Sequence, residues 1–164
     1  MNSKKLFIWG FLFVSVIGSL LHFVYEWSGN NSIVRLFAPW NESTWEHMKL
    51  LFFPMLVLVL FLFFKLPEQS PIPVALSIGT LVGLALIPIL FYTYTGVLGF
   101  SVMAIDIAIF YISVLGVFLT GWFLKDNRKL ANRRELLLTC LVILAILFFI
   151  FSYYPPGIGL FQEP

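Results

Sequence analysis

Two histidines, His22 and His47, and four carboxylates, Glu26, Glu42, Glu46 and Asp106, are the groups in this sequence best suited to chemistry. Two imidazoles with carboxylates bind zinc readily, and three protein ligands leave a coordination position for water. Zinc held in that way lowers the pKa of its water toward about 7 and makes a hydroxide nucleophile near neutral pH. In this scheme His22, His47 and either Glu26 or Asp106 are the metal ligands, with Glu46 or Glu42 as general base. Asn41, Ser43 and Lys49, adjacent in sequence to these groups, are expected to contact the bound ligand. Without metal the same residues can act as acid and base, because burial raises a carboxylate pKa toward the useful range.

The elements that must position these residues are transmembrane helices. The chain has 164 residues, 60% hydrophobic and only 11% charged, against roughly 25% charge in soluble domains. An ordinary cytosolic protein and a disordered chain are both excluded, the latter because disorder needs low hydrophobicity. The single cysteine, Cys140, allows no internal disulfide and no CxxC site, and P-loop, GxGxxG and GxSxG signatures are absent. Crossing a ~30 Å hydrocarbon core takes about 20 apolar residues in a helix. Five such runs occur, at 6–25, 45–64, 72–94, 102–124 and 136–153, and they form one domain over 1–164. Each is apolar all round, as a membrane span is, and the alternating segments of about ten residues that mark a barrel are missing. The expected fold is therefore all-α, a bundle of five transmembrane helices. Lys4 and Lys5 before an apolar stretch suggest a signal peptide, but the run continues to Tyr25 without a small-residue cleavage site, so a span is expected.

Positive charge gives an expected orientation, since Lys and Arg collect on the cytoplasmic side. Lys4, Lys5, Lys65, Lys125, Arg128, Lys129, Arg133 and Arg134 fall at one set of span ends, and Arg35 and Lys49 at the other. Eight against two puts the N-terminus inside and the Tyr154-Pro155-Pro156 tail outside. The polar residues then share one depth. His22 and Glu26 end span one, Glu46 and His47 open span two, and Asp106 lies about a turn below the outer end of span four. Ionisable residues inside a bilayer are expensive and usually face a functional interior, whereas the inner halves of these spans hold almost none. A chain with two His and eight acids thus concentrates both His and half its acids in one thin outer layer.

Each residue also has a plain structural reading. Ser43-Thr44-Trp45-Glu46 fits the S-x-x-E capping box, and Glu42 and Glu46 complement a helix N-terminus. His22 can hydrogen-bond a neighbouring span, and Asp106 can neutralise Lys49 or Arg35. Trp27, Trp40 and Trp45 fit an interfacial belt. Gly79 and Gly83 form a GxxxG step that lets another helix approach. Pro54 and Pro88 free the carbonyls of Leu50 and Leu84, and kinks are expected there. The connection Trp27 to Asn41, with its apolar Ile33, Val34, Leu36 and Phe37, is expected to fold back as an interfacial lid. The basic loop Lys125 to Arg134 sets topology and can attract anionic lipid.

The runs H-x-x-Y-E-W (His22 to Trp27) and N-E-S-x-W-E-H-x-K (Asn41 to Lys49) resemble the hallmark of a family of small integral membrane proteins, mainly from Gram-positive bacteria, classed as a domain of unknown function. The resemblance covers essentially the whole chain and implies a bacterial plasma membrane location. It supplies no activity. A more distant likeness, to the alkaline ceramidases and adiponectin receptors, extends only to a polar site among membrane helices. Those proteins use three His, an Asp and a Ser, so no residue role carries over.

The leading functional expectation is a polar outer-leaflet pocket that binds a metal, zinc, or a polar ligand, as in a metal-dependent hydrolase of lipid or lipid-linked substrate. Membrane lipid is the expected partner. The alternatives are a small transporter or channel subunit, for which a homo-oligomer would have to build the path, and a structural or regulatory membrane partner without catalysis. A translocation path usually carries polar groups to the midplane. Nucleic acid is not an expected partner, because the basic loop is short and lacks interleaved aromatic residues.

Overall fold

The computed structural model describes residues 2–164. Among them there is no strand, and five helices are each long and apolar enough to cross a membrane: α1 (Ser3–Trp27), α2 (Thr44–Lys65), α3 (Ile72–Leu98), α4 (Met103–Leu124) and α5 (Arg134–Tyr153). The helix set is compatible with a multi-pass membrane protein. At 1.5 Å per residue the 22 residues of α2 measure about 33 Å. Three short 3-10 turns, Val34–Leu36, Arg128–Arg133 and Gly159–Phe161, lie outside the spans.

Local chemistry sets the ends. The α1 helix stops where Gly29 and Asn30 take positive φ, 69° and 61°. At the start of α2, Ser43 Oγ accepts from the Glu46 amide, the expected cap. The α3 helix runs four residues past Tyr94 and ends at Gly99, whose φ of 80° is a left-handed C-cap. No side-chain cap opens α4; instead the Tyr94 hydroxyl accepts from the Val102 amide at 3.0 Å.

Small residues bring the helices together. The carbonyl of Val117 crowds the space a Cβ on Gly79 would take, and Gly83 lies beside the Ser113 carbonyl, so the GxxxG step seats α3 on α4 inside one chain. On α1, Gly10 meets Phe118 and Leu58, and Gly18 meets Phe110 and the Leu50 carbonyl. Helices α2 and α3 continue through Pro54 and Pro88. Pro54 frees the Leu50 carbonyl, and it is this carbonyl that faces Gly18. The most enclosed helix is α2, with Leu51, Phe52, Met55 and Val59 fully buried.

The Trp27 to Asn41 connection folds back onto the bundle. Phe37 packs against Phe53 and Phe149, and Ala38 is fully buried. Trp45 belongs to the core rather than to an interfacial belt, enclosed by Phe148, Phe151 and Phe161, whereas Trp27 is 70% exposed. One end of the bundle therefore gathers the C-termini of α1, α3 and α5 with the starts of α2 and α4. It holds both histidines; the other end holds the basic loops.

Candidate metal centre

The polar run Asn41 to Lys49 opens α2, and successive helical residues point about 100° apart. Its side chains consequently divide between two faces. Glu46 and Lys49 turn inward toward α5. His47 turns toward α1.

On the inward face, Lys49 is 0% and Glu46 2% exposed. Lys49 Nζ donates to Glu46 Oε2 at 2.5 Å, to the Arg35 carbonyl at 2.8 Å and to Ser152 Oγ at 2.6 Å. Glu46 Oε2 also accepts from the Trp40 amide at 3.3 Å, and the Ser152 hydroxyl donates to the Phe148 carbonyl. The three donor positions of the ammonium are thus filled, as a buried cation requires. The network ties the first loop, α2 and α5 together. Ser152 beside Lys49 has the composition of a nucleophile and base, yet both are fully buried and no substrate can reach them.

On the other face, one ligand atom each from His22, Glu42 and His47 lie within 4.8 Å of one another. The two imidazole rings are 5.4 Å apart between centroids, and His47 Nε2 is 3.4 Å from Glu42 Oε2. A tetrahedral zinc with bonds near 2.0–2.1 Å separates its ligand atoms by roughly 3.3 Å. The Glu42 to His47 distance matches that edge.

The tautomer of His47 follows from its neighbour. His47 Nδ1 is 3.1 Å from the Ser43 carbonyl, which can only accept, so Nδ1 carries the proton. In the neutral ring Nε2 then presents a lone pair to a carboxylate oxygen. Two acceptors at 3.4 Å repel unless a proton or a metal ion lies between them. His22 brings a second imidazole to the cluster, and its Nδ1 is buried without a hydrogen-bond partner. Ser43 therefore caps α2 with its hydroxyl and orients His47 with its carbonyl, the outer-shell arrangement that metal-bound imidazoles commonly show.

Of the other residues expected at the site, Glu26 is exposed and outside the cluster of His22, Glu42 and His47. Asp106 accepts a hydrogen bond from the Tyr94 hydroxyl and also lies outside it. It therefore closes the α3–α4 turn and is paired with neither Lys49 nor Arg35. Glu46 is engaged by Lys49 instead of standing free as a base, and Asn41 accepts from the Ser43 amide at 3.1 Å. Ser152 and Tyr94 were not expected to matter. The only sequence signal of either was a hydroxyl near the same end of its span.

The chain's relationship to known proteins rests on its full-length sequence. It belongs to the family of unknown function DUF6512. The family's sequence profile spans residues 1–164, so membership covers the five helices and both polar faces of the α2 start. No curated protein and no solved structure matches the chain.

Proposed function

We propose that this DUF6512 protein is a metal-binding protein of the bacterial plasma membrane, with His22, Glu42 and His47 holding a zinc ion at the extracytoplasmic face. The observation that carries the reading is the convergence of three ligand atoms within 4.8 Å, from the end of α1 and the start of α2. The 3.4 Å approach of His47 Nε2 to Glu42 Oε2 supports it, and so does the unpartnered His22 Nδ1. The excess of Lys and Arg at the opposite end supports the orientation.

Three protein ligands with a free position are the arrangement of catalytic rather than structural zinc. Zinc bound there supplies a water acidified toward neutrality, the nucleophile of hydrolysis. The protein's own contribution is positional. Ser43 fixes the His47 ring, the Glu46–Lys49 pair fixes the α2 start, and Glu42, with a side chain 67% exposed, keeps one side of the site open. The site lies at the end of apolar spans, so the substrate class that reaches it is a lipid headgroup or a lipid-linked ester.

Reconstituted protein in phosphatidylglycerol and phosphatidylcholine vesicles, zinc-loaded against chelated, tests the reading. The expected result is zinc-dependent release of a headgroup or fatty acid, lost in His22→Ala. Zinc binding with no hydrolysis of either lipid would overturn the assignment of these lipids. Zinc-dependent uptake of a solute, lost in the same variant, would favour transport.

A further inference from the structure

At the basic end, the α2–α3 loop and the α4–α5 loop flank an open cavity lined by Pro67, Gln69, Ser70 and Pro71 on one side and by Lys125, Asp126 and Arg128 on the other. It is remote in the chain's course from the histidines, since it lies where α2 and α4 end and α3 begins. We infer that this cavity binds the phosphate of an anionic membrane lipid. The inference is independent of the metal reading.

Charge and geometry carry it. Lys125 is held over the Trp122 ring, 4.4 Å from the centroid, and is paired with Asp126. Arg128 is exposed and is absent from the ion pairs of the described residues. Its planar guanidinium therefore remains available for two parallel hydrogen bonds to phosphate oxygens. Gln69 and Ser70 supply neutral donors across the cavity. Arg134 takes no part, because it donates to the Phe63 carbonyl at 2.7 Å.

The surroundings favour a lipid as the source of the phosphate. The cavity sits at the level where apolar spans give way to charged loops, which is headgroup depth. Phe64 and Phe123, in the last turns of α2 and α4, are 87% and 81% exposed and offer apolar surface for acyl chains. Basic pockets between helix ends on the positive side are an established form of headgroup site.

The full chain in nanodiscs of phosphatidylcholine, with and without phosphatidylglycerol, tests the inference by thermal unfolding. Phosphatidylglycerol is expected to raise the midpoint by about 2–4 °C, and the rise should vanish in the Lys125→Gln, Arg128→Gln variant. A Lys4→Gln, Lys5→Gln variant, altered at the same end but outside the cavity, should keep it. No rise in the wild type, or equal loss in both variants, overturns the site in favour of diffuse surface charge. Inorganic phosphate in phosphatidylcholine nanodiscs at matched ionic strength should produce no shift. A shift there would make free phosphate the ligand and overturn the lipid assignment.

Discussion

Glu46 and His47 are neighbours in the chain whose side chains join two separate polar clusters. Glu46 is 2% exposed and bonded to Lys49, while His47 faces His22 and Glu42 at the edge of the bundle. The first turn of α2 is thereby anchored on one face and turns His47 toward His22 and Glu42 on the other.

That anchoring makes the ion pair costly to break. Removing one partner of a buried pair leaves an uncompensated charge and costs about 3–5 kcal/mol, whereas replacing both by apolar residues is often near neutral. Glu46→Gln or Lys49→Met should each lower the denaturation midpoint sharply. A Glu46→Leu, Lys49→Met double variant should recover part of the loss, short of the wild type because the Trp40 amide and the Arg35 carbonyl lose their partners. Equal loss in the single and double variants would contradict the account.

Helix approach provides a second prediction. A Cβ on Gly18 would fall 2.5 Å from the Leu50 carbonyl and 2.6 Å from Phe110. Gly18→Ala should therefore destabilise by about 1–3 kcal/mol and, by parting α1 from α2, weaken metal retention. Gly96, in α3, has nothing within 4 Å of the same position. Alanine there should be neutral or slightly stabilising in the same unfolding assay.

Tyr94 joins the two ends of the α3–α4 turn, donating to Asp106 and accepting from the Val102 amide. Tyr94→Phe should cost about 0.5–1.5 kcal/mol, the net range for an ordinary intramolecular hydrogen bond. Metal content should stay unchanged in that variant. Loss of metal in Tyr94→Phe without unfolding would place Asp106 in the site after all.

Five spans were legible because twenty-residue apolar runs have few other uses, and their ends fell within a few residues of the observed helices. The gathering of the polar residues at one end of the helices was legible for the same reason. Rotation of each helix about its own axis was not, and rotation decides which carboxylate joins the histidines. Glu26 follows His22 by four residues yet is exposed, whereas Glu42, in the loop before α2, reaches His47. Likewise Asp106 reads in sequence as a metal ligand or a counterion for Lys49 or Arg35, because its actual partner Tyr94 lies across a turn. Nothing local to Ser152 signals that α5 carries it to Lys49, 103 positions earlier.

The central claim is that His22, Glu42 and His47 share one divalent metal. Its most direct test is elemental analysis of protein purified in detergent with zinc supplied and chelators avoided, comparing wild type with His22→Ala, Glu42→Gln, His47→Ala, Glu26→Gln and Asp106→Asn. The account predicts near-stoichiometric metal in the wild type, in Glu26→Gln and in Asp106→Asn, with loss in both histidine variants and strong reduction in Glu42→Gln. Folded wild-type protein without metal, or metal that survives both histidine substitutions, would contradict it and leave the His47–Glu42 contact as an ion pair that only holds α2 in place.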